Sequence, residues 1–175
     1  FEYLTEDPSN STAFSFLSKK LKEAKQQSKI KPRDVVLYGF GRIGRLVARE
    51  LMGKSGSGSQ LRLRAIVTRN KLNSETLEKR AALLRSDSVH GDFPGTVSVD
   101  TDLKALIING MTVYIISASK PEDIDYTTYG ISEALIIDNT GAFRDQKALE
   151  RHLTSKGSQK VLLTAPGKEV PNIVH

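Results

Sequence analysis

Three glycines, Gly39, Gly41 and Gly44, carry the most direct chemical signal in this chain. Their spacing, in the stretch Gly39-Phe40-Gly41-Arg42-Ile43-Gly44, fits G-x-G-x-x-G, an arrangement that bares backbone amides for an anion. In such a turn the first glycine permits the tight bend, the second lets backbone approach a diphosphate, and the third lets a helix pack closely on its strand. A lone G-x-G-x-x-G is a weak signal, so its value depends on what flanks it. Other candidates are small or polar: Arg69, Thr140 with Gly141, and Thr164. The chain holds no cysteine, which excludes disulfide frameworks and thiolate chemistry.

The flanks supply the missing context. Asp34 to Tyr38 is apolar and β-prone, and Leu46, Val47 and Leu51 recur at helical spacing after the glycines. Strand, glycine turn and helix in that order form the Rossmann signature, in which a diphosphate sits on unpaired amides at the positive end of the helix dipole. Further on, the pattern predicts a strand over Leu61 to Thr68, a helix over Leu72 to Leu84, and strands at Thr96 to Val99, Lys104 to Ile108 and Thr112 to Ile116. Asn109-Gly110 suits a hairpin turn between the last two. Pro121 to Tyr129 reads as a short helix or turn, Leu135 to Asp138 as a buried strand, Arg144 to Thr154 as a helix, and Lys160 to Thr164 as the last parallel strand. The expected class is α/β, a Rossmann-like doubly wound, mostly parallel sheet with an antiparallel strand insert.

In such a sheet the ligand crevice lies beyond the carboxyl ends of the strands, where the glycine turn, Thr68-Arg69-Asn70, Asn139-Thr140-Gly141 and Thr164-Ala165-Pro166-Gly167 converge. A site for NAD calls for a carboxylate after the second strand, to take hydrogen bonds from the adenosine ribose. This chain has Arg69 there and no acid until Glu75. Arg69 can pair with a ribose 2′-phosphate, so NADP is favoured over NAD.

Composition narrows the class. The chain has 175 residues, 38% of them hydrophobic, and no apolar run approaches the roughly 20 residues that span a bilayer. No membrane association is expected, and the absence of cysteine fits a cytoplasmic location. The net charge of +6 is concentrated early, with six lysines from Lys19 to Lys31 and Arg33 against a single Glu23. No aromatics interleave to stack bases, so this segment is read as a solvated face of an amphipathic helix over Thr12 to Gln27 and not as a nucleic-acid site. Gly53 to Ser59 reads as a low-complexity surface loop with no phosphate role, because its spacing is not that of a P-loop.

Several stretches together resemble the phosphorylating glyceraldehyde-3-phosphate dehydrogenase family. Tyr38-Gly39-Phe40-Gly41-Arg42-Ile43-Gly44-Arg45 is similar to its opening motif, and Asp87-Ser88-Val89-His90-Gly91 with Phe93-Pro94-Gly95-Thr96-Val97 to its second. Asp138-Asn139-Thr140-Gly141-Ala142-Phe143 is similar to its third, and the strand and turn from Lys160 to Pro166 follow in order. The resemblance covers residues 34–175 and implies an NAD(P)-binding domain there, with residues 1–33 an amino-terminal extension and a catalytic domain expected after residue 175. It implies that the backbone of Phe40, Gly41, Arg42 and Ile43 holds the cofactor diphosphate, with Gly39 and Gly44 shaping that cofactor site, that Thr140, Gly141 and Phe143 border the cofactor path, and that Thr164 lies near the nicotinamide end.

Departures from the family pattern bear on the cofactor. Tyr38 stands where the family has asparagine, Arg69 replaces the ribose-binding aspartate, and Ser119-Lys120-Pro121 replaces a stretch presenting an arginine near the adenine. Lys120 is read there as a further cation for a 2′-phosphate. The family's chemistry uses a cysteine nucleophile, a histidine base, hydride transfer to nicotinamide and phosphate attack on the resulting thioester. It implies a sugar-phosphate aldehyde as substrate, a role in glycolysis or gluconeogenesis, and a homo-oligomer. His90, His152 and His175 match no catalytic histidine, and His152, in a helix, reads as a surface residue. This chain is therefore expected to bind cofactor and to be inactive by itself. An erythrose-4-phosphate dehydrogenase relative stays open, because aldehyde choice lies downstream. So does a nucleotide-sensing or interaction module in which Phe14, Leu17 and Leu21 dock a partner.

Overall fold

The computed structural model describes residues 15–19, 31–56, 59–171 and 173. The chain divides into two units, Phe1–Lys31 and Pro32–His175. In the first, residues 15–19 are helical and Leu17 is exposed; the rest of the amphipathic helix expected over Thr12 to Gln27, with Phe14 and Leu21, lies outside the described residues.

The second unit is a seven-stranded sheet with helices on its faces. In chain order its elements are β1 (Arg33–Tyr38), α1 (Arg42–Gly53), β2 (Leu61–Thr68), α2 (Ser74–Arg85), a small hairpin of β3 (Ser86–Asp87) and β4 (Gly91–Asp92), then β5 (Val97–Asp100), β6 (Ala105–Ile108) and β7 (Met111–Ser117). Two short 3-10 turns, Pro121–Asp123 and Tyr126–Tyr129, lead to β8 (Ala134–Asp138), α3 (Gln146–Leu153) and β9 (Ser158–Leu163). The strand order is β5-β6-β7-β2-β1-β8-β9. Pairings from β7 through β9 are parallel, and the β5-β6-β7 end is antiparallel. The chain builds outward from β1 on one side through β2 and β7, then returns to place β8 on the other. That makes the β1–β8 boundary the topological switch point, where such sheets open a crevice.

The central strands are buried on both faces, which is why they read as continuous apolar runs. Val35 and Leu37 face one core, shared with Ala48 and Met52 of α1 and Leu77, Ala81 and Leu84 of α2. Val36 and Tyr38 face the other, with Ile136, Phe143 and Leu149. Strand β2 departs from simple alternation. Its register against β1 skips Arg64, so Leu63 and Ile66 reach the first core while Ala65 and Val67 reach the second. A bulge of this kind inverts the side-chain phase of everything after it. The extra residue is put to use, since the Arg64 guanidinium donates to the carbonyl of Tyr129 at 3.1 Å.

Local signals set the element ends. Helix α2 begins two residues later than its apolar pattern suggests, because Asn73 caps it: the side chain accepts from Thr76 N–H at 2.7 Å and Thr76 Oγ1 accepts from Asn73 N–H at 3.0 Å. Likewise Asp145 starts α3 by accepting from Ala148 N–H at 2.8 Å. Asn109 and Gly110 both take positive φ, 49° and 78°, in the two-residue β6–β7 turn. Asn109 Oδ1 also accepts from Thr96 N–H at 2.9 Å, tying in β5.

The Asp87 to Gly91 stretch is the turn of the β3–β4 hairpin. Asp87 Oδ1 accepts from the amides of Val89 and His90 and meets the His90 ring, each at 3.0 Å. Its Oδ2 faces Arg45 of α1 at 3.5 Å. The His90 ring bond and then the two amides hold the carboxyl well below the usual carboxylate range. A depressed carboxyl stabilises the fold fully above its unfolded pKa, about 3.9, and loses that contribution as pH falls through the folded value. Asp87→Asn is therefore expected to lower the urea midpoint at about pH 7, with the gap to wild type closing as pH drops below about 4. A gap that stays constant down to acid pH would rule this out.

Candidate functional site

The crevice at the switch point is built from the sequence of β1 outward. The strand delivers Tyr38 and Gly39 to the carboxyl edge, where Gly39 takes φ 96°, open to glycine at no steric cost. Gly39 N–H donates to the Val67 carbonyl at 3.0 Å, and Asn139 N–H to the Tyr38 carbonyl at 2.8 Å, so the turn is pinned between β2 and β8. A side chain on Gly39 would meet Thr140 Cγ2 at 2.7 Å, and one on Gly44 would meet the Gly39 carbonyl oxygen at 2.3 Å. The two glycines thus allow strand, turn and helix to lie against each other. Phe40 is buried in the first core and anchors the turn from below.

Helix α1 starts without a protein cap. Gly41 is its N-cap residue and supplies no side-chain acceptor, and its first turn contains no acid. The first intrahelical bond runs from Arg45 N–H to the Gly41 carbonyl at 3.0 Å, leaving the amides of Arg42, Ile43 and Gly44 ahead of it. Among the described residues of this unit, the other two α-helices are capped by Asn73 and Asp145. An uncapped helix start behind a glycine turn fits a bound anion, and the dipole favours one.

A cleft of about 320 Å³ opens over this turn. Its walls include Gly39, Phe40 and Gly41 from the turn, Thr68, Arg69 and Asn70 from the end of β2, Ala118 beyond β7, and Thr140 and Ala142 beyond β8. Of the residues singled out in the sequence, the cleft brings together Gly39, Phe40, Gly41, Arg69 and Thr140. Arg42, Ile43 and Gly44 follow in the first turn of α1, and Ile43 is exposed. Gly141 takes φ 65° in the loop after β8 and accepts from Arg144 Nε at 2.8 Å.

Three other residues lie apart from the cleft wall. Lys120 is exposed on the segment entering the first 3-10 turn. Phe143 is buried, its ring edge-on to Tyr38 at 5.9 Å and to His152 at 4.9 Å between centroids. Thr164 Oγ1 bonds the Asp138 carbonyl at 3.1 Å and Asn139 Oδ1 at 3.2 Å, and its chain lines a separate apolar hollow between α3 and β9.

Asp138, fully buried at the end of β8, shapes the loop opposite the glycine turn. Its Oδ1 accepts from both Thr140 N–H and Thr140 Oγ1 at 2.7 Å, and Thr140 Oγ1 accepts from Ala142 N–H at 3.1 Å. Its Oδ2 accepts from His152 Nε2 at 2.9 Å. His152 is therefore not the surface residue its helical context suggested; it is fully buried in α3 and holds the carboxylate that holds the loop. The signal for this was present, because His152 stands three residues after Leu149 and shares its inward stripe. Tyr38 packs edge-on against the same imidazole at 4.6 Å, and burial pushes its phenol above the ordinary value. Arg80, from the middle of α2, also lines the cleft. Nothing in its sequence neighbourhood distinguishes it from a solvated helix face.

The family description that matches this chain is glyceraldehyde 3-phosphate dehydrogenase, NAD binding domain, over residues 33–146. The chain belongs to the glyceraldehyde-3-phosphate dehydrogenase family. The matched segment is a nicotinamide-dinucleotide-binding domain, and the crevice over its glycine turn is where this fold takes such a ligand. The chain is 54% identical over 143 residues to the glyceraldehyde-3-phosphate dehydrogenase-like protein of Pseudomonas aeruginosa (strain UCBPP-PA14), which covers 81% of this chain and 31% of that protein. It is 36% identical over 134 residues to the glyceraldehyde-3-phosphate dehydrogenase of Zymomonas mobilis subsp. mobilis, covering 77% and 36%. With that of Streptococcus pyogenes it shares 35% over 133 residues, covering 76% and 36%. The chain thus spans about a third of the length of these relatives. No helix among the described residues is long and apolar enough to cross a membrane.

The glycine geometry separates two substitutions. Gly44→Ala drives a Cβ into the Gly39 carbonyl and is expected to cost about 1–3 kcal/mol. Gly41→Ala adds a methyl with nothing within 4 Å and is expected to stay within about 1 kcal/mol of wild type. Urea denaturation of both variants measures this, and equal losses would contradict the close approach of Gly44 to the strand.

Proposed function

We propose that this chain is the cofactor-binding part of an NAD(P)-dependent glyceraldehyde-3-phosphate dehydrogenase, an oxidoreductase acting on the aldehyde of a sugar phosphate, and that NADP is its preferred cofactor. The observation that carries the reading is the uncapped start of α1 behind the glycine turn, facing a cleft whose far wall presents Arg69. On this reading the amides of Phe40 to Gly44 hold the diphosphate, and the Asp138-braced loop with Thr140 and Gly141 borders the path to the nicotinamide. Phe143 supports that path from beneath, Thr164 braces the loop through Asn139, and Lys120 stands at the adenine side. The bound cofactor supplies the hydride acceptor.

The preference for NADP rests on charge. A carboxylate after β2 would accept from the ribose hydroxyls of NAD and repel a 2′-phosphate, whereas Arg69 is a permanent cation with a donor fork suited to it. The domain division belongs to the same proposal: residues 1–33 an extension, residues 34–175 the cofactor domain, and the thiol chemistry supplied by sequence outside these residues. The chain's lack of cysteine supports that division of labour. A homo-oligomer in the cytoplasm is the setting we propose for the whole enzyme.

Calorimetric titration should give tighter binding of NADP than NAD by about tenfold or more, and Arg69→Asp should reverse the order. Gly41→Ala should weaken both cofactors, because its methyl stands where the diphosphate approaches. An unchanged order in Arg69→Asp would remove Arg69 from the site. Assayed with glyceraldehyde 3-phosphate, phosphate and either cofactor, this chain should show no turnover; any activity would refute the need for a thiol supplied from elsewhere.

A further inference from the structure

Resting on the dinucleotide reading above, we infer that Arg80 is a second specificity-determining residue, which with Arg69 clamps the ribose 2′-phosphate of NADP.

The two arginines come to one cleft from different elements. Arg69 follows the last residue of β2, and Arg80 stands in the second turn of α2. A long helical side chain leans toward the helix N-terminus, so Arg80 reaches back over the loop that joins β2 to α2. Its guanidinium donates to Asn70 Oδ1 at 2.6 Å, which fixes it beside the residue that follows Arg69. That loop is itself braced, since Thr76 Oγ1 donates within it to Lys71 and Asn73 carbonyls, at 2.9 and 3.0 Å. Arg80 is therefore held in place by contacts that leave most of its five donors unused.

Charge points the same way. Arg45, Arg62, Arg85 and Arg151 each face a carboxylate. Among the described residues none pairs with Arg69 or Arg80, so one cleft wall carries two cations that nothing in the described fold neutralises. Two unneutralised cations on one wall do nothing for folding, and an anion bound in the cleft would neutralise them. A 2′-phosphate has a charge of about −1.5 to −2 and three acceptor oxygens, more than one guanidinium neutralises. The 2′-hydroxyl of NAD offers no charge to either. The competing use of Arg80, a guanidinium stacked on the adenine ring, would serve both cofactors alike.

Calorimetric titration of the chain with 2′,5′-ADP, 5′-AMP, NADP and NAD separates these roles. Arg80→Ala should weaken 2′,5′-ADP and NADP by about tenfold to a hundredfold and leave 5′-AMP and NAD within about twofold. Arg80→Lys should recover part of the loss, and Asn70→Ala, which leaves the arginine but frees it, should give a smaller loss of the same selectivity. Equal weakening of all four ligands would assign Arg80 to the adenine, and no change in any would remove it from the site; either overturns the inference while the dinucleotide reading stands. Failure of the wild-type chain to bind any of the four would instead overturn that reading, and the inference with it.

Discussion

The closeness of Gly44 to the carbonyl of Gly39 is the constraint on which the rest of the domain depends. A helix can start this near the end of its own strand only if the crossing residue has no side chain. Once it does, α1 lies flat against β1 and β2, and Ala48 and Met52 drop into the first core. The same crossing leaves Gly39 backed on its other side by Thr140, so β8 must come in at the matching height. The place where α1 starts, and with it the direction of the bared amides, follows from that one approach.

Much of this was legible because it is encoded locally. The strand-turn-helix order around Gly39, the Asn109-Gly110 hairpin and the apolar strands need only short-range chemistry, and the structure has them where that chemistry puts them. Helix starts were less exact, since the apolar period of α2 runs on past the residue where the Asn73 cap begins it. The bulge at Arg64 was hidden altogether, because a run of apolar residues reads the same whether or not its phase inverts.

The site was legible in its backbone and less so in its side chains. Glycines announce themselves by spacing, and Arg69 by standing where an acid is called for. Arg80 gives no such sign, since a cation on a helix is ordinary until tertiary structure brings the helix to a crevice. Phe143 and His152 are both packed inside the domain. Phe143 sits in a motif and packs in the core, while His152 looks like a polar helix residue and is wholly enclosed. Burial of the imidazole is tolerated because one nitrogen has the Asp138 carboxylate, and the carboxylate is tolerated because it also takes two donors from Thr140.

That shared carboxylate joins two places that look independent. One oxygen fixes the loop bordering the crevice and the other is held by a helix on the outer layer of the sheet. The posture of Thr140 on the cleft wall is thereby tied to how α3 seats itself, through the single side chain of Asp138. The side chains packed about the His152 imidazole, Phe143 and Tyr38 among them, are therefore part of what sets the crevice rim.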